Sequence, residues 1–215
     1  MEGRHARLEP LSPGHAAGLF AAFEGAPQVW TWMPIGPFEA PADYAAWVEP
    51  AARTDDPLHF AVRMADGRLG GTLSYLRIAP GAGSIEIGWI VFSPLLQRTL
   101  AATEAVYLMM QAAFDAGYRR VEWKCDARNL ASRRAAQRFG LSWEGVFRQA
   151  AVVKGRNRDT AWFAAIDAEW PALREAYEAW RDPANFDGGG RQRSRLSDVT
   201  RPILVARDPL FAAGS

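Results

Sequence analysis

Two short segments of this 215-residue chain combine residue types that can do chemistry. The first runs from Ile85-Glu86-Ile87-Gly88-Trp89-Ile90-Val91-Phe92 through Ser93-Pro94-Leu95-Leu96 into Gln97-Arg98-Thr99-Leu100-Ala101-Ala102-Thr103-Glu104. It reads as a strand, a short loop and a helix opening on small residues. Such a unit leaves first-turn amides unpaired and aims the helix dipole at the loop, which suits an anion such as a pyrophosphate. The second segment is Cys125-Asp126-Ala127-Arg128-Asn129 followed by Leu130-Ala131-Ser132-Arg133-Arg134. Each segment also has a plainer reading. Most strand–loop–helix units bind nothing, Asn129 can be an N-cap and Ser132 a solvated helix residue. A third stretch, Trp30 to Phe38 with Trp32 and Pro34 between, is aromatic and punctuated by Pro and Gly. It reads as a loop of the kind that faces ligands. The alternative is that its rings, with Tyr44, fill a core between the first two helices.

The elements that must position these residues follow from periodicity. Residues 4–9 are a short strand, and 12–24 a helix with Ser12 as N-cap and Pro13 at its first position. A helix covers about 39–53. Strands at 58–64, 69–78 and 84–92, joined by tight turns, form an antiparallel meander. Residues 97–116 switch to helical period, with Gly117 placed to end them. A strand at 120–125, a helix at 130–139 stopped by Gly140, a hairpin at 142–153 and 159–167, and a helix at 169–181 complete the body. From about 183 the chain is polar and Gly-rich, with Arg191, Arg193 and Arg195, and reads as a tail or arm whose 199–206 stretch pins it to the body. The expected division is therefore a domain over 1–182 and a tail over 183–215, in an α+β fold.

Composition sets the outer bounds. Hydrophobic residues make up 49% and charged residues 23% of the chain, enough for a packed core. Basic and acidic residues number 25 and 24, so no global charge attracts nucleic acid or an anionic membrane. The single cysteine, Cys125, excludes an intrachain disulfide and paired-cysteine zinc sites. His5, His15 and His59 are scattered, and no metal constellation is evident. The start lacks the apolar core of a signal peptide, and no run reaches membrane-spanning length, so a soluble cytoplasmic protein is expected.

Taken together, the two segments resemble the GNAT superfamily of acyl-CoA-dependent N-acetyltransferases, most closely the branch that acetylates ribosomal-protein N-termini. In that branch a strand like Ile85–Trp89 precedes the pyrophosphate loop. Asn-x-x-Ser, a Gly-aliphatic stop and a Glu-Gly pair then follow; here these are Asn129–Ser132, Gly140-Leu141 and Glu144-Gly145. The likeness covers roughly residues 5–180. Two positions depart from the wider family. Leu100 stands at the first Gly of the usual Gln/Arg-x-x-Gly-x-Gly/Ala loop. Ala136 stands where many relatives carry a general-acid Tyr, which the ribosomal branch also lacks.

The resemblance implies a mixed, mostly antiparallel twisted sheet with helices on both faces and a splayed parallel strand pair. It implies transfer of an acetyl group from acetyl-CoA to a primary amine, a protein N-terminus or a small molecule, by direct attack on the thioester. The acetyl-CoA site would comprise Ile90, Val91, Phe92, Gln97, Arg98, Thr99, Leu100, Ala101, Ala102, Thr103, Asn129, Ser132 and Arg134. A backbone N–H near Val91 would meet the oxyanion, and the Ser132 hydroxyl would protonate the leaving thiolate. Glu86 is the first candidate for general base. Strand alternation puts it on one face with Ser84, Gly88 and Ile90, and a carboxylate in a half-apolar cleft has a raised pKa. A structural carboxylate held by backbone or an Arg is an equal reading. Glu144 and Glu122 are weaker candidates, and Glu104 is read as supporting its own helix. Trp30, Trp32, Pro34, Phe38, Tyr44 and Glu86 would shape the acceptor pocket. The competing functions are a non-catalytic acyl-CoA sensor on the same fold and a tail that serves as an interaction arm. No metal, membrane or nucleic-acid partner is expected, and a homodimer is left open.

Overall fold

The computed structural model describes residues 1–211, so residues 212–215 of the expected tail lie outside the described residues. The chain divides into two compact units, Met1–Ala112 and Ala113–Ser215.

In the first unit, β1 (Ala6–Pro10), β2 (Leu58–Met64), β3 (Leu69–Ala79) and β4 (Ser84–Phe92) pair in sequence order, each antiparallel to the next. Alternation divides their side chains between two faces. Phe60, Leu73, Tyr75, Ile85 and Ile87 are buried on one, where the Tyr75 hydroxyl donates to the Met109 carbonyl at 2.5 Å. Met109 lies in α3 (Leu100–Asp115), which begins in this unit. The other face carries Ala61 and Val91 and is covered by α1 (Ala16–Phe23) and α2 (Pro41–Ala51). Leu19, Phe23, Trp30, Tyr44 and Val48 fill that layer. The helix expected over 12–24 divides into a 3-10 turn, Pro13–His15, and α1. Here the Ser12 amide donates to the His15 Nδ1, and Nε2 faces Glu9 at 3.0 Å.

In the second unit the strand order is β5 (Arg120–Asp126), β7 (Arg156–Ile166), β6 (Ser142–Val153), all antiparallel. The hairpin turns at Lys154 and Gly155, both at positive φ, so β7 starts three residues earlier than the periodicity indicates. α4 (Leu130–Arg138) and α5 (Trp170–Arg181) enclose Phe139, Phe163, Leu173 and Tyr177. The Tyr177 hydroxyl donates to the Phe139 carbonyl at 3.0 Å. Gly140 ends α4 at φ 86° with Leu173 Cδ2 2.3 Å from where a Cβ would sit, so any other residue is strained there and must displace Leu173. Within residues 183–211 of the segment read as an arm, α6 (Leu196–Thr200) packs against α4 and α5.

Candidate active site

The distinctive feature of β4 is a bulge. Ser74 pairs with Gly88 and Thr72 with Val91, so Leu73 alone opposes both Trp89 and Ile90. Trp89 sits at φ 50°, a left-handed conformation costly for a bulky side chain. The extra residue resets the alternation. Past Gly88 it is Val91, not the expected Ile90, that joins the α1/α2 layer. The bulge also turns Trp89 to that side, where it stacks on Trp47 (6.3 Å between centroids, 22°) and meets His59 edge-on.

Glu86 lies two residues before Gly88 on the same face and is 3% exposed. Its Oε2 accepts from Arg77 Nη1 at 2.5 Å. Its Oε1 stands 3.2 Å from where a Gly88 Cβ would be, so Gly88 leaves this carboxylate room on the face. The structure thus supplies the arginine partner that the sequence left as an alternative. It also places a residue not singled out in the sequence. His59 on β2 is buried, its Nδ1 is 2.9 Å from the Ser74 Oγ, and Trp47 and Trp89 face its ring. Burial pushes its pKa down to about 4, so the imidazole is neutral at physiological pH. The signal for it was its place in an alternating strand, which carries no chemistry by itself.

The loop after β4 is wound tightly. Leu96 and Gln97 amides donate to the Ser93 carbonyl, and the Gln97 side-chain amide donates to the Phe92 carbonyl at 2.8 Å. α3 starts at Leu100 rather than at 97 because Thr99 caps it: its Oγ1 accepts from the Ala102 amide at 3.1 Å and donates to the Leu96 carbonyl at 2.6 Å. One amide of the expected anion site is therefore already paired. Those of Leu100 and Ala101 have no hydrogen bond to another described residue. The left-handed backbone position falls at Arg98 (φ 62°), so Leu100, outside that region, enters the helix without needing glycine. The buried Ser93 hydroxyl has no hydrogen-bond partner among the described residues. Thr103 and Glu104 are buried; Glu104 Oε2 accepts from the His5 and Ala6 amides, so it anchors β1 rather than its own helix.

Of the aromatic set, Trp30 and Tyr44 are buried in the α1/α2 layer, Phe38 is half-buried against both, and Trp32 and Pro34 are exposed. Trp30 and Tyr44 thus take the core placement that was the alternative to pocket lining.

In the second unit, Asn129 caps α4, its Oδ1 accepting from the Ser132 amide at 3.1 Å. The Ser132 hydroxyl accepts from the Trp123 indole N–H at 2.9 Å and lies beside the Cys125 thiol, which burial pushes up to about 11. Arg134 is exposed, its guanidinium 4.7 Å from the Phe211 ring. The two weaker base candidates are ion-paired. Glu144 takes a bidentate contact from Arg120. Glu122 is drawn upward by burial but pulled further down by Lys124 and Arg120, and ends below the ordinary carboxylate range. Among the described residues no cluster of three or more metal-ligating side chains exists, and no helix is long and apolar enough to cross a membrane.

Residues 5–142 match the family model of the GNAT acetyltransferase domain. The fold is similar to that of a GCN5-related N-acetyltransferase from Brucella melitensis, with 51% identity, a TM-score of 0.91 and 93% of each chain covered. It is also similar to a probable GNAT-family acetyltransferase from Chromobacterium violaceum, with 44% identity, a TM-score of 0.76, and 80% of this chain and 87% of that one covered. A Salmonella typhimurium acetyl transferase that modifies the N-terminal serine of ribosomal protein L7/L12 shares the fold at 19% identity, a TM-score of 0.65, and 76% and 96% coverage. No curated protein matches the chain.

Proposed function

Because the chain belongs to the GNAT family of acetyltransferases, we propose that it moves an acetyl group from acetyl-CoA to a primary amine by direct attack of the amine on the thioester. The observation that carries this reading is the run from the β4 bulge into α3. A strained Trp89–Ile90 bulge is followed by a tight turn and two first-turn amides, those of Leu100 and Ala101, without protein acceptors. A diphosphate supplies acceptors for both amides and meets the positive end of the helix dipole.

The remaining roles fall to this chain's own residues. The protein amides by the bulge, from Ile90 to Phe92, supply donors for the developing oxyanion. Glu86 accepts a proton from the ammonium of the acceptor, directly or through water, and Arg77 fixes its orientation. Ser132 donates its hydroxyl proton to the departing thiolate; the indole of Trp123, which donates to Ser132, leaves that proton pointing away from the ring. Asn129 holds the loop that meets the pantetheine arm. Gln97, Arg98, Thr99, Ala102 and Thr103 shape the phosphate loop. Phe38, Trp32 and Pro34 border the acceptor.

The acceptor is a protein N-terminus or a small amine. Of the carboxylates at and just before α2, Glu49 pairs with Arg53 at 2.8 Å, and Glu39 and Asp43 are exposed. The test is release of free thiol from acetyl-CoA with a panel of peptides, amino acids, polyamines and aminoglycosides. Turnover with one class, reduced about a hundredfold or more in Glu86→Gln, supports the reading. Binding of acetyl-CoA without thiol release for every amine favours a sensor instead.

A further inference from the structure

The segment after α6, residues 201–211, is largely exposed, yet it carries one fully buried acid. Val205 and Leu210 are 78% and 60% exposed, whereas Asp208 is 0% exposed. Its carboxylate receives the Nε and Nη2 of Arg133, each at 2.6 Å, and Arg133 is itself buried. The same guanidinium donates through Nη1 to the Ala127 carbonyl at 2.6 Å and lies over the Trp143 ring. One side chain therefore ties the C-terminal segment to the β5–α4 loop, two residues before the cap Asn129 and next in sequence to Ser132. Backbone contacts hold the segment in register. Trp143 N donates to the Ala206 carbonyl, Val205 N to the Ser142 hydroxyl, and Asp208 N to Gln137 Oε1.

We infer that Asp208 and Arg133 are positioning residues, through which a C-terminal strap sets the placement of Asn129 and Ser132. The inference rests on the proposed roles of those two residues. A buried ion pair is weak evidence for stability alone, since an apolar pair of similar size often replaces it without loss. What an apolar pair cannot replace is the third contact, from guanidinium to the Ala127 carbonyl. That contact requires Arg133, and Arg133 tolerates burial only with Asp208 opposite it. The strap thus holds the loop ahead of α4 through Arg133.

The experiment compares Asp208→Asn and the double variant Arg133→Met with Asp208→Leu against the unmodified full chain. Three quantities are read: melting temperature, KM for acetyl-CoA against kcat, and the NMR resonance of the Trp123 indole N–H, assigned with Trp123→Phe. That indole donates to Ser132 and needs no ligand to report on it. Both variants are expected to move the Trp123 resonance and to raise KM for acetyl-CoA about tenfold. The double variant does so even as its melting temperature returns toward that of the unmodified chain. An unmoved resonance in both variants overturns the inference, as do kinetics restored in step with the melting temperature. If the unmodified chain turns over no acetyl-CoA, the functional reading fails, and the resonance alone decides the role of the strap.

Discussion

His59 makes the most quantitative test of how the α1/α2 face is built. The residue is 6% exposed, Ser74 lies at one nitrogen, and two indoles meet the ring in edge-to-face contacts. Protonation would place a charge among apolar groups, which holds the pKa near 4 against an ordinary 6.5. The folded pKa lies below the unfolded one, so between these values the unfolded chain binds the extra proton. Stability is therefore complete above pH 6.5 and is lost as the pH falls toward 4. At 1.36 kcal/mol per pH unit, the whole gap amounts to about 3 kcal/mol, and the step from pH 6 to pH 5 alone to about 1 kcal/mol. Glu9, held at about 2 by Arg63 despite partial burial, with His15 assisting, has the same sign. Its loss falls between pH 4.5 and 2, below the pH 6–5 step. Urea unfolding at pH 6 and pH 5 measures the step directly. His59→Gln keeps a polar partner for Ser74 but cannot titrate, so its pH 6–5 step should shrink by about 1 kcal/mol. An equal step in both proteins, or an imidazole titration of His59 near 6.5, would refute the reasoning.

Three further outcomes follow from other sites. Gly140→Ala forces a Cβ into Leu173 at φ 86°, and combined strain and overpacking should cost about 2–4 kcal/mol in denaturant unfolding. Thr99→Val removes the α3 cap and should cost about 1 kcal/mol in the same measurement, while Ser93→Ala, whose hydroxyl has no partner among the described residues, should leave stability unchanged within about 0.5 kcal/mol.

Much of this molecule can be read from its residues, and the misreadings have physical causes. β2 and β4 match their expected limits because alternation of apolar residues is a local signal. Gly140 is legible as a helix stop, since a positive φ next to a packed Leu173 strongly favours glycine. The start of α3 was placed three residues early, because Gln97–Thr99 suits a helix while Thr99 caps one better. The β4 bulge was invisible. It depends on the register with β3, and no residue type announces a Trp at positive φ. Asn129 and Ser132 were noticed through their spacing, but their partners were not: Trp123, and Arg133 with Asp208, meet only when distant segments pack. The Arg-bearing tail looked like an arm because its composition is polar and Gly-rich. Three buried residues, Leu196, Thr200 and Asp208, hold it to α4 and α5, and so few leave little compositional trace.

The proposed reaction requires the amides opening α3 to bind the diphosphate of acetyl-CoA. Titration calorimetry of acetyl-CoA into the full chain, alongside Leu100→Pro, tests it most directly. Proline at the first helical position removes one amide at little cost to the helix. Saturable heat is expected for the unmodified chain, with affinity about ten- to a hundredfold weaker for Leu100→Pro, the loss of one hydrogen bond to a charged group. No heat from the unmodified chain, or equal affinity in both, would contradict it.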